Sequence, residues 1–210
     1  MTALQVSALT DFLLACLAFF CAGALAGRHA QPRSAAWYWR GAMFFLALAA
    51  LLGGTDHGFV EPAGLARAPI QRTTWVVLGL MTASVLLTLG AQFLGPTRQR
   101  LLGGLAAAQL LAYLVAVVVV DSFLVVVVNY LPVILAMLAF NVHGLWRGRG
   151  EGPGHWTIVF GLLVLLLAST VQALRIDTFS PLDHDALYHL ISMPGVVLLY
   201  FGGRRLKTQA

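Results

Sequence analysis

Charge is what this sequence lacks most. Only 10% of its residues are Asp, Glu, Lys or Arg, 60% are apolar, and the mean hydropathy is +0.85. A soluble domain carries about 25% charged residues, so these proportions exclude an ordinary water-soluble fold and point to a chain solvated by lipid. Cysteine is scarce as well. Cys16 and Cys21 lie on one predicted helix, point to different faces and cannot comfortably bridge, so they offer no disulfide framework and indicate no compartment. There is no Gly-x-Ser-x-Gly elbow, no paired-cysteine metal motif and no phosphate-loop lysine in "RGRGEGPGH". Nor is there a repeat of fixed period, or a matched pair of interrupted half-helices of the kind that marks many secondary transporters. No Lys or Arg precedes Arg28, so the first apolar run lacks the basic start of a signal peptide and is expected to be retained.

What the sequence does have is apolar runs of membrane length, at about residues 8–27, 36–57, 74–95, 101–120, 122–143, 156–175 and 182–202. The β-branched stretch "AVVVVDSFLVVVVNYLP" would suit a strand in water, but lipid admits only helices or closed barrels, so Asp121–Ser122 reads as a tight turn between two helices. The expected fold is all-α: a polytopic membrane protein forming a single seven-transmembrane-helix bundle over residues 1–210. The net charge of +5 implies no nucleic-acid partner, because the basic residues sit in short loops.

Those loops set the orientation. Arg28, Arg33, Arg98, Arg100, Arg147, Arg149, Arg204, Arg205 and Lys207 fall on one side, with Arg40 near that boundary, and Arg67, Arg72 and Arg175 fall on the other. The positive-inside rule then puts the N-terminus outside and the C-terminus inside, as expected of a bacterial inner membrane protein. Trp37, Tyr38 and Trp39, then Trp146, Trp156 and Tyr200, lie near inner helix ends and Trp75 near an outer one, as interfacial anchors should.

With orientation set, one leaflet collects most of the acids and three histidines. Asp11 opens helix 1, Asp56 and His57 close helix 2 in "GGTDHGF", Asp121 sits in the turn between helices 4 and 5, and Asp183, His184, Asp185 and His189 open helix 7. His29, His143 and His155 fall on the inner side, as ordinary loop residues. In "SPLDHDALYHLISMPG" Ser180 is placed to cap helix 7, with Pro181 at its first position and Asp183 three residues after the cap. Along a regular helix Asp185 and His189 share a face, about 40° apart, whereas His184 and His189 diverge by about 140°. Asp185 and His189 thus have the better metal-gripping geometry, and His184 with His189 needs a distorted turn. His189 lies about two turns inside the helix, where an ionisable group needs a partner or a wet cavity. Gly53 and Gly54 are expected to let another helix approach and bring His57 against helix 7, and Gly58 to offer a helix end. Gln109, Asn129, Asn141 and Gln172 read as interhelical hydrogen-bond partners.

Seven spans, a histidine at the end of helix 2 and a histidine pair opening helix 7 resemble the superfamily that joins alkaline ceramidases, the progestin and adipoQ receptor group and related membrane hydrolases, often called CREST. The segment "HDALYHLISMPGVVLLYFGGRRL" also looks like the closing helix of small bacterial membrane proteins near that group. The resemblance implies zinc held by three histidines, which here would be His57, His184 and His189, and hydrolysis of a lipid amide. It also matches Asp11 to an acid near the start of the ceramidase helices. In that family a serine usually stands four residues before the helix-2 histidine, and Gly53 occupies the place here.

The leading expectation is therefore a zinc-dependent integral membrane hydrolase acting on a lipid amide or ester near the outer leaflet. Three protein ligands would leave a position for an acidified water, with Asp11, Asp121 or Asp185 as proton carrier. Membrane lipid is the expected partner, entering between helices. Two other expectations compete: a receptor-like or structural membrane protein whose polar cluster binds a ligand or holds helices 1, 2 and 7 together, and haem bound by two of the outer histidines.

Overall fold

A computed structural model describes residues 2–27, 29–146, 154–177 and 181–209. Among these there are seven helices long and apolar enough to cross a membrane: α1 Ala3–Ala26, α2 Ala35–Thr55, α3 Ala68–Phe93, α4 Pro96–Val119, α5 Leu124–Trp146, α6 Gly154–Ala173 and α7 His184–Gly203. That is the pattern of an integral multi-pass membrane protein. The seven apolar runs and the turn at Asp121–Ser122 are all present, with Ser122 Oγ accepting from the backbone N–H of Leu124. Arg28, Arg147, Arg149 and Ser180 lie outside the described residues.

Three helices, α1, α3 and α4, start five or six residues earlier than their apolar runs. α1 begins at Ala3 because Thr2 and Gln5 form a reciprocal capping box. α3 begins at Ala68, with a proline in its first positions where the missing N–H costs nothing. α2 departs more. It does not end near His57 and Gly58 but runs on through a widened π turn, Asp56–Val60, in which the N–H of Glu61 donates to the Asp56 carbonyl at 2.9 Å. Such turns recur at functional sites.

Six helices close a ring in the order α1, α2, α3, α5, α6, α7, and α4 stands outside it against α3 and, more loosely, α5. Successive helices run in opposite directions, so each end of the bundle gathers alternate helix termini. At one end Asp11 of α1 meets Gly53 of α2, Gln172 of α6 meets Asp185 of α7, and Gln71 of α3 meets Asp56. At the other, the backbone N–H of Gln31 donates to Thr208, that of Ala36 to Lys207, and that of Lys207 to Gln92.

Small residues set the closest approaches. A methyl group on Gly161 would lie 3.0 Å from the Gly195 carbonyl, and one on Gly195 would lie 3.2 Å from that of Gly161, so α6 and α7 touch backbone to backbone. Gly203 gives the same room to Trp39, whose indole N–H donates to the Leu199 carbonyl at 3.2 Å. Trp39 is thus a core residue, 2% exposed, and not an interfacial anchor. Trp146 and Trp156 do face outward, at 90% and 52% exposure. The interhelical amides pair as expected: Gln109 donates to Asn129 at 3.1 Å, and Asn141 bonds His155, which lies in the first turn of α6 instead of a loop.

Candidate functional site: a polar seam beside an apolar cavity

Ser7, Thr10 and Asp11 recur at helical spacing on one face of α1, and all three are buried against α7. Asp183 caps α7 in place of Ser180, accepting from the Ala186 N–H at 2.8 Å, so the helix starts at His184 and Pro181 lies outside it. The Ser7 hydroxyl donates to both oxygens of that same carboxylate, at 2.8 and 2.9 Å, and ties the two helix starts together.

One turn deeper, His189 Nε2 lies 3.0 Å from Asp11 Oδ1, with both side chains under a tenth exposed. Its Nδ1 lies 3.1 Å from Thr10 Oγ1. The Thr10 hydroxyl also lies 2.9 Å from the Ser7 carbonyl. Both ring nitrogens of His189 are thus engaged, Nδ1 by Thr10 and Nε2 by Asp11. Asp11 Oδ2 is buried with no hydrogen-bond partner among the described residues.

Gly53 and Gly54 make room for this pair. A methyl group on Gly53 would stand 3.1 Å from Asp11 Oδ1, and one on Gly54 3.0 Å from the Asp11 Cβ and the Phe12 ring. The glycine pair thus seats α1, where it was expected to bring His57 to α7. Gly58 continues the contact, with its added methyl 3.2 Å from Ala8, and does not end the helix.

The other polar residues of this end form separate groups. Asp56 is buried and clamped by Arg67, whose Nη2 lies 2.7 Å and Nε 3.0 Å from the carboxylate, while Arg67 Nη1 reaches Glu61 at 2.9 Å. The hydrogen bond to Asp56 holds the Arg67 pKa above its ordinary value, with partial burial opposing it. His57 Nδ1 sits 3.4 Å from Glu61 Oε2, within ion-pair range but without hydrogen-bond geometry. His184 is held by Asp177, which accepts from its ring Nδ1–H at 2.8 Å and its backbone N–H at 2.7 Å. Those two bonds keep the Asp177 pKa below the usual carboxylate value. Asp185 accepts from Gln172 at 2.8 Å and lies 3.8 Å from His184 Nε2; it does not pair with His189. Asp121 is exposed in its turn.

The histidines expected to share a zinc ion are thus each engaged by a different carboxylate: His57 by Glu61, His184 by Asp177 and His189 by Asp11. With Nδ1 bonded to Thr10 and Nε2 facing Asp11, His189 has no ring nitrogen left for a metal in this arrangement. Among the described residues no three His, Cys, Asp or Glu side chains form a group that would hold a metal ion. The residues present do not fit the zinc set as they stand.

Inside the helix ring, alongside the seam, lies a cavity of about 120 Å³. Its walls are mostly apolar, among them Trp39, Met43, Met81 and Leu165, while Tyr130, Ser169, Gln172, Tyr188 and Ser192 supply polar atoms. Tyr188 joins the two features: it lines the cavity and packs edge-on against the His189 ring, centroids 5.2 Å apart. Ser192 is buried beside Tyr188. Sequence reasoning missed Ser7, Thr10, Tyr188 and Ser192. A signal for the first two exists, since Ser7, Thr10 and Asp11 fall on one face of an otherwise apolar helix.

A family model matches residues 6–208, and the chain belongs to that family, DUF6962, a family of unknown function. No curated protein and no solved structure matches the chain.

Proposed function

We propose that this DUF6962 member is a receptor-like, ligand-binding protein of the membrane. The cavity takes an apolar segment of a lipid-class molecule, and the polar seam of α1 and α7 holds the adjoining wall in place. One observation carries this reading: a cavity within the helix ring is apolar along most of its wall and polar where Tyr188, Gln172 and Ser192 meet it. A cavity near 150 Å³ admits one benzene-sized group, so about 120 Å³ suits a short acyl segment or a single ring. In this reading the C-terminal end, which carries most of the basic residues, faces inward and the N-terminus outward, in a bacterial inner membrane.

The test is retention of a fatty acid spin-labelled near its methyl end. Native protein should immobilise the label, and Ala42→Phe and Ser169→Leu, which fill the cavity from two sides, should release it. Equal immobilisation in all three would reject the reading.

The competing reading is the zinc-dependent hydrolase of a lipid amide or ester. It draws support from the unpaired Asp11 Oδ2 beside His189, an arrangement suited to accepting a proton. Stoichiometric zinc that is lost in His57→Ala, with lipid turnover abolished by His189→Ala and Asp11→Asn, would replace the binding reading by that one. An intense Soret band in the purified protein would replace both by haem.

A further inference from the structure

The basic end carries a feature that the cavity does not explain. Between the α1–α2 loop, α2, the end of α3 and the start of α4 lies a pocket of about 390 Å³. Two arginines, Arg33 and Arg100, line it together with Tyr38 and Gln99, and Leu87 and Leu102 supply an apolar wall. Neither arginine is within ion-pair distance of a carboxylate among the described residues. Every described Asp and Glu belongs to the opposite end of the bundle. Arg33 is also held at φ 68°, a left-handed conformation that a non-glycine residue adopts only when its surroundings demand it.

Two guanidinium groups, a phenol and an amide around one pocket are donors for the oxygens of a phosphate. The leucine wall and the position at the boundary of candidate spans favour a phosphate that arrives attached to apolar chains. We infer that this pocket binds the headgroup phosphate of an anionic phospholipid. Basic pockets between membrane helices on the positive side recur as sites of this kind. The inference is independent of the cavity, since the two share no lining residue.

The experiment is native mass spectrometry of the full chain in detergent, titrated with phosphatidylglycerol and phosphatidylcholine in equal amounts. Native protein should retain phosphatidylglycerol in preference. Arg33→Gln and Arg100→Gln should each lower that preference about fivefold, the value of one arginine near an anionic headgroup. Arg100→Lys, which keeps the charge but loses the fork, should fall between. Arg98→Gln removes the same charge from the same helix end outside the pocket and should leave the preference intact. An equal loss in Arg98→Gln, or no preference in native protein, would overturn the inference. Displacement of the lipid by millimolar inorganic phosphate would also overturn it, by showing a site for the free anion.

Discussion

The two ends of the bundle treat charge in opposite ways. At the end where α7 starts, the buried carboxylates are answered within the protein: Asp11 by His189 and Asp56 by Arg67. At the end where α7 finishes, Arg33 and Arg100 line an open pocket with no carboxylate among the described residues across from them. The difference follows from solvation. A charge between helices must be matched where it lies, whereas a guanidinium at a helix end reaches water or lipid phosphate. One end therefore stabilises the fold, and the other is free to recruit an outside anion.

The largest effect should come from breaking the deepest pair. Asp11→Ala leaves His189 Nε2 buried without its partner, and should destabilise by about 3 kcal/mol. Asp11→Asn keeps an oxygen at the same place and should lose less. Ser7→Ala removes a single interhelical hydrogen bond, worth about 0.6 kcal/mol in membrane proteins. Arg100→Gln at the basic end should stay within about 0.5 kcal/mol, because Arg100 has no ion-pair partner among the described residues. Unfolding in mixed micelles checks all four, and a loss in Arg100→Gln as large as that in Asp11→Ala would erase the contrast between the ends.

Glycine sharpens the comparison next. Gly54→Val drives a branched side chain into Asp11 and Phe12, and overpacking of this kind costs about 1–3 kcal/mol. Gly104→Val, on the exposed face of α4, meets nothing within 4 Å and should leave the unfolding midpoint unchanged.

Legibility in the sequence tracked the same division between solvation and rotation. Seven helices could be read because lipid demands about 20 apolar residues for each crossing. The starts of α1 and α3 could not, since Thr2, Gln5, Gln71 and Arg72 belong to helical turns that an apolar window discards. Trp39 looked like an anchor because only the tertiary fold shows Gly203 opening a slot for it. At the site, alternating helix direction was enough to collect Asp11, His57, His184 and His189 at one end. Which of them meet depends on how each helix is turned. Gly53 and Gly54 face α1, the π turn carries His57 toward Glu61, and Asp177, just beyond α6, captures His184. None of these rotations is encoded by residue spacing within a single helix.

The smallest effect is a pH step confined to the α6–α7 loop. Asp177 lies outside the spans and accepts two bonds from His184, which lower its pKa in the folded protein. A depressed carboxylate pKa contributes stability that is complete above the ordinary Asp value of about 3.9 and is lost as pH falls through the lower folded value. The amide resonance of His184 should therefore show a carboxylate step below the ordinary Asp range, and Asp177→Asn should abolish that step. The amide of Lys207 at the basic end donates to the Gln92 side chain, which does not titrate, and should show no such step over the same range. A titration of Lys207 that parallels His184 would mean that the ends are coupled through the bundle, and that pairing at the acidic end governs the shape of the pocket at the other.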